Sequence, residues 1–176
     1  MNRVIWMNKR VRKGGLDDQR VLRKKWSMLA ALVESNGLIY VGTSRNNSYY
    51  PRLKIKFYVK GVIEPLKEVY GVGSFFVDNA NDEKRMNFYA WTVYSKQCAE
   101  LLRKILPYLV DNKRQAELCV ELQEINNKRK KMGLMGGAGY KSFKGRRKLP
   151  PNYRGEGIRQ EIKILNRKLR KKRRMM

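Results

Sequence analysis

The 176-residue chain contains no histidine, only two cysteines, Cys98 and Cys119, and five prolines. Without histidine, neither a histidine-ligated zinc centre nor histidine acid–base catalysis is expected. Two cysteines make no disulfide framework. They read as small buried apolar residues and fit a reducing compartment, cytoplasm or organelle (mitochondrion or plastid), rather than secretion. Long apolar runs are missing too: no stretch of about 18 apolar residues occurs, so neither a membrane span nor a membrane partner is expected. The start, Met1-Asn-Arg-Val-Ile-Trp6, lacks the apolar core of a secretory signal. Acid is scarce: 15 Asp and Glu face 41 Lys and Arg, a formal charge of +26. Such an excess calls for a polyanionic partner, nucleic acid before membrane, because neutralising phosphates releases counterions.

What is present divides the chain into three parts. Residues 1–25 form a basic N-terminal arm, in which Asp17 and Asp18 suit the first turn of a helix running through Val21, Leu22, Trp26 and Leu29. Residues 26–127 carry a domain of alternating helix and strand patterns. Residues 128–176 form a basic C-terminal extension.

The clearest strand is Arg52-Leu-Lys-Ile-Lys-Phe-Tyr-Val-Lys60. Leu53, Ile55, Phe57 and Val59 share one side; Arg52, Lys54, Lys56, Tyr58 and Lys60 share the other. One face is core, and a row of cations without an acid reads as a phosphate-contacting surface. The segment before it, Ser44–Pro51, reads as a turn-rich connection. Val62–Tyr70 reads as a helix closed by Gly71-Val-Gly73, with Val62, Ile63, Leu66 and Val69 apolar. That lone Gly-x-Gly lacks a third glycine and a preceding strand, so it is no nucleotide loop. Ser74–Val77 and Arg85–Tyr94 read as further strands, the second adding Arg85 to the basic set. Ala99–Leu106 and Asn112–Asn127 read as helices covering the back of a sheet.

Trp26-Ser-Met-Leu-Ala-Ala-Leu-Val-Glu-Ser-Asn-Gly37 organises the rest. Small Ala30 and Ala31 let a second helix approach closely, Asn36 and Gly37 suit a helix terminus, and Leu38–Val41 reads as a strand. Within it, Leu29–Gly37 resembles the signature of the LAGLIDADG homing endonucleases in degenerate form. Trp91-Thr-Val93, Leu101-Leu-Arg-Lys-Ile-Leu-Pro-Tyr-Leu109 and Lys113-Arg-Gln-Ala-Glu-Leu118 resemble later blocks of the same family, in the same order. The resemblance covers about 26–127 and extends loosely to Leu149-Pro-Pro-Asn-Tyr153.

The resemblance implies an α/β (α+β) fold: an αββαββα core with one four-stranded antiparallel saddle sheet. It is the single-motif type, which implies two copies paired, as homodimer or pseudo-dimer, through the Leu29–Val33 helix with Leu29, Ala30 and Ala31 at the contact. The family's eighth signature position is the carboxylate that binds catalytic divalent metal; here it is Asn36. Glu34 is a carboxylate two positions earlier, rotated by roughly 200° onto another helix face. Lys96 falls where the resemblance places an active-site lysine. Asn36 offers magnesium a neutral oxygen only, so no cofactor is expected unless cleavage survives.

The extension holds 19 Lys and Arg over 128–174 against Glu156 and Glu161. Its basic residues include Lys128, Arg129, Lys130, Lys131, Lys144, Arg146, Arg147, Lys148, Lys171, Lys172, Arg173 and Arg174. A flexible Gly133–Gly139 hinge interrupts it, and Ile158, Ile162, Leu165 and Leu169 mark a helix. Tyr140 and Phe143 suit stacking on unpaired bases, which favours RNA, ribosomal or intron RNA in a larger assembly, over DNA. Three functions stay open: an RNA-associated binding protein that has lost cleavage, an active metal-dependent endonuclease cutting double-stranded DNA, and a DNA-binding regulator.

Overall fold

The structure is a computed structural model and describes residues 16–44, 48–78, 88–132 and 153–175. Arg85, the 133–139 hinge, Tyr140, Phe143, Lys144, Arg146, Arg147 and Lys148 lie outside the described residues, as does most of the N-terminal arm.

The element order is α1 (Leu16–Asn36), β1 (Gly37–Thr43), β2 (Tyr49–Phe57), α2 (Lys60–Tyr70), β3 (Ser74–Asp78), β4 (Phe88–Tyr94), α3 (Ser95–Ile105), α4 (Lys113–Lys131) and α5 (Tyr153–Met175). A short 3-10 turn, Leu106–Tyr108, joins α3 to the approach of α4. The four strands form one antiparallel sheet in the order β1-β2-β4-β3. This is the αββαββα core with the single antiparallel sheet expected from the sequence.

The alternation in β2 resolves as expected: Leu53 and Ile55 are fully buried, beside Ile39 on β1 and Trp91 and Val93 on β4. Against that side pack Leu29 and Val33 of α1, Ile63 and Leu66 of α2, Leu102 and Ile105 of α3, and Leu118 and Leu122 of α4. Removing these side chains from water supplies the main drive for folding.

Several boundaries differ from the sequence reading. β2 begins at Tyr49, so Tyr49, Tyr50 and Pro51 belong to the strand rather than to a connecting turn. Pro51 faces Val41 but has no partner on β4, whose pairing starts at Arg52. Its missing N–H therefore costs no ladder bond on that side. β2 ends at Phe57; Tyr58 and Val59 are exposed, and Lys60 opens α2. On α2 the inward face is Ile63, Leu66 and Tyr70, while Val62 and Val69 stay exposed. Gly71 closes that helix with φ of 69°, a conformation that favours glycine, and its N–H bonds to the Lys67 carbonyl.

α5 lies antiparallel along α4 and beside β1. Arg154 pairs with Glu121 and Arg114 with Glu161 at the helix–helix seam. Ile158 and Ile162 enter the core, and the Asn166 amide donates to the Ile39 carbonyl on the outer edge of β1. A helix within the basic extension thus closes one side of the domain.

Candidate nucleic-acid interface

Helices pack on one face of the sheet, so alternate residues of each strand point to the other. Antiparallel register sets these residues in rows. One row holds Leu38, Lys54, Thr92 and Ser74; the next holds Tyr40, Arg52 and Tyr94. On one side lies Gly42 opposite Tyr50, and on the other Lys56, Ala90 and Phe76. Tyr50 lies over Gly42: a Cβ there would fall 2.5 Å from the far end of the ring, which would have to shift.

Arg52 holds the centre of this face. Its guanidinium lies 5.2 Å from the Tyr40 ring centroid and 4.6 Å from that of Tyr94. Nη2 donates to the Tyr94 hydroxyl at 3.0 Å. Burial pushes the Tyr40 hydroxyl above its ordinary pKa, against the opposing pull of the Arg52 charge. Lys56 lies 5.6 Å from the Phe88 ring centroid, and Phe88 packs on Tyr58 at 4.2 Å. Lys60 leaves the face and pairs with Glu64 on its own helix at 3.3 Å. The cationic row is therefore Arg52, Lys54 and Lys56, with Tyr58 beyond the strand's end.

The end of α1 forms the second feature. Gly37 is needed for close approach: a Cβ there would meet the Val33 carbonyl oxygen at 2.5 Å. Its φ is outside the left-handed region, so contact with the helix, rather than backbone freedom, requires glycine. Asn36 is exposed, and its side-chain N–H donates to the Ser35 hydroxyl at 3.1 Å. Glu34 turns elsewhere. Its Oε1 accepts from the backbone N–H of Val110 at 2.8 Å and of Asn112 at 3.2 Å, and its Oε2 from the Asn112 amide at 3.0 Å. The carboxylate thus satisfies donors at the start of α4, where negative charge is favoured.

A hard divalent cation wants charged oxygen ligands. The nearest carboxylate to Asn36 along α1 is committed to α4, and Asn36 brings no charge. The residues at this helix end do not fit such a site.

Lys96 lies beyond the end of β4, apart from Asn36 within the chain. Gly37 is level with Ile55 and Trp91, and β4 runs on from Trp91 to Tyr94, about 10 Å at a strand's rise. Ser95 then turns the chain with φ of 50°, and Lys96 sits exposed in the first turn of α3, 3.6 Å from Glu100. Lys56 follows Ile55, the strand partner of Gly37.

Of the three helix-pairing residues, Leu29 and Ala30 are buried in the chain's own core, whereas Ala31 faces outward with Met28 and Ser35. The basic extension separates into two ends. Lys128, Arg129, Lys130 and Lys131 finish α4, one turn after Asn126 bonds the Tyr49 carbonyl. Lys171, Lys172, Arg173 and Arg174 finish α5 beside α1. There Lys172 pairs with Asp111 at 2.8 Å, and Arg173 donates to the Glu34 carbonyl. The Tyr40–Arg52–Tyr94 arrangement was not foreseen as such. Only strand register unites those residues, although the alternation of β2 singled out Arg52.

No protein-family model matches the sequence, and no curated protein does either. Solved structures do match in shape. The homing endonuclease I-CvuI, bound to its target in the presence of 2 mM Ca, aligns with a TM-score of 0.52 at 19% identity, over 84% of this chain and 98% of that one. The same enzyme on the I-CreI target with 2 mM Mg, its DNA not cleaved, gives 0.51 at 18%, over 83% and 97%. The LAGLIDADG meganuclease I-AabMI bound to uncleaved DNA gives 0.49 at 16%, over 62% and 40%. The chain has the fold of the LAGLIDADG homing endonucleases, the fold implied by its degenerate signature at Leu29–Gly37.

Proposed function

We propose that this protein binds nucleic acid through the open face of its sheet and no longer cleaves it. The observation that carries the reading is the row Arg52, Lys54 and Lys56, set among Tyr40, Tyr94 and Phe88 on the face the helices leave uncovered. Cations meet phosphates or base edges and aromatic rings pack on sugar or base, a pairing suited to nucleic acid. The +26 charge of the whole chain strengthens the attraction without adding sequence preference. The likeness in fold to I-CvuI, which was solved in complex with its target, supports nucleic acid as the class of ligand.

Loss of cleavage rests on Asn36 and on the commitment of Glu34 to α4. In two paired copies both Asn36 positions would be neutral, and the compensation that metal between scissile phosphates requires is missing twice. An RNA-associated role, in a ribosomal or intron complex, is the form of binding favoured by the length of basic chain beyond the sheet.

The test is to purify the protein from cells under gentle salt and sequence the nucleic acid that accompanies it. Enrichment of defined RNA or DNA species supports the reading. A protein that emerges free of nucleic acid, and that retains neither RNA nor duplex DNA afterwards, overturns it.

A further inference from the structure

We infer that Arg52 reads a guanine, and that Tyr40 and Tyr94 are the residues that position it. The inference rests on the nucleic-acid reading above and assigns a sequence preference to one point of that surface.

Arg52 is held from several sides. Tyr40 and Tyr94 are its direct neighbours in register on either side, and both rings lie within cation–π range of the guanidinium. Nη2 is tied to the Tyr94 hydroxyl. Nε is buried and has no hydrogen-bond partner among the described residues. Tyr50, laid over Gly42, fills the next row. With Nε enclosed, the terminal nitrogens are the part of the fork left for a ligand.

A phosphate contact has little need of this arrangement, since a mobile ammonium serves as well. A planar fork fixed before binding suits two acceptors that lie in one plane at fixed spacing. The O6 and N7 of guanine form such a pair, and arginine is the side chain that meets them in bidentate fashion. Because Arg52 is already ordered, binding removes less side-chain freedom. Guanine occurs in DNA and RNA alike, so the shared chemistry is the guanine O6/N7 edge.

The experiment offers the full chain a randomised duplex-DNA pool and, separately, a randomised RNA pool, and sequences what is retained. One position enriched in guanine is expected in one pool, and which pool shows it identifies the source. Arg52→Gln is expected to lower the guanine preference at that position alone by about tenfold or more. The salt dependence of binding stays as in the parent. Tyr40→Leu, which leaves the cation in place but unstacked on one side, lowers the same preference several-fold, again without changing the salt slope. Thermal unfolding confirms that each variant is folded.

Three results overturn the assignment while leaving nucleic-acid binding intact: no guanine position in either pool, a preference that survives Arg52→Gln, or a weakening equal for all sequences. The last, with a salt slope shallower by about one, would mark Arg52 as a phosphate contact. Retention of neither pool overturns the functional reading and this assignment together.

Discussion

The carboxylate of Glu34 caps the start of α4 through Asn112, accepting from both its backbone N–H at 3.2 Å and its side-chain amide at 3.0 Å. These residues are 78 positions apart in sequence. The contact joins the last turn of the signature helix to the layer behind the sheet. Glu34→Ala leaves partly buried donors without a partner and is expected to cost about 1–2 kcal/mol, read by chemical denaturation. An unchanged midpoint would show that the contact contributes nothing to stability.

Lys54→Ala with Lys56→Ala is expected to weaken binding to all sequences alike. The slope of log affinity against log salt becomes shallower by about one for each phosphate that the variant no longer neutralises. Titrations at several salt concentrations measure it. A slope equal to that of the parent would move the binding surface away from the sheet.

Asn36→Asp is expected to raise affinity for magnesium or manganese, measured by calorimetry, because a charged oxygen replaces a neutral one. The parent protein is expected to leave DNA intact in the same buffers. Asn36 precedes Gly37, a pair prone to deamidation, so mass spectrometry of this residue belongs with the assay. Site-specific double-strand cleavage by protein shown to retain Asn36 would restore the endonuclease reading.

Ile158 and Ile162 are buried in the main core although they lie within the basic extension. Each replaced by Ala is expected to cost about 2–5 kcal/mol, like other large-to-small core changes. A destabilisation well below 1 kcal/mol in denaturant unfolding would mean that α5 adheres only weakly.

Cys98 and Cys119 are both fully buried, and burial pushes the Cys119 thiol up to about 12. Burial raises Cys98 well above its usual value too, with Cys119 adding to the effect. The thiolate is the reactive form, so neither residue is expected to react with maleimide in the native state at neutral pH. Both react after unfolding. Rapid native labelling would place at least one thiol at the surface.

Periodicity and the order of sequence blocks made the core legible. Leu53 and Ile55 alternate with Lys54 and Lys56 because β2 buries one side, and four strands follow the helix pattern as expected. The same alternation runs on through Tyr58, Val59 and Lys60 in the sequence. The strand ends earlier because α2 begins at Lys60, and alternation alone carries no stop signal there. At the candidate site, Asn36 was legible by resemblance and Glu34 by helix geometry, which turns it off the face of Asn36. The place of Lys96 after β4 was legible from block order, but its distance from Asn36 depends on the direction in which β4 runs, which spacing from a motif does not carry. The stack around Arg52 depends on partners 12 and 42 residues away, joined by register, for which no local pattern exists.

The bond from Asn166 to the Ile39 carbonyl has a bearing on growth as well as on packing. An unprotected outer strand is a template on which a stranger's strand can be laid, and repeated addition of that kind builds fibres. By laying α5 along β1, the chain withholds that template with a helix, which cannot itself be extended strand by strand. On this flank a copy crowded against the chain meets a helix in place of a bare strand edge.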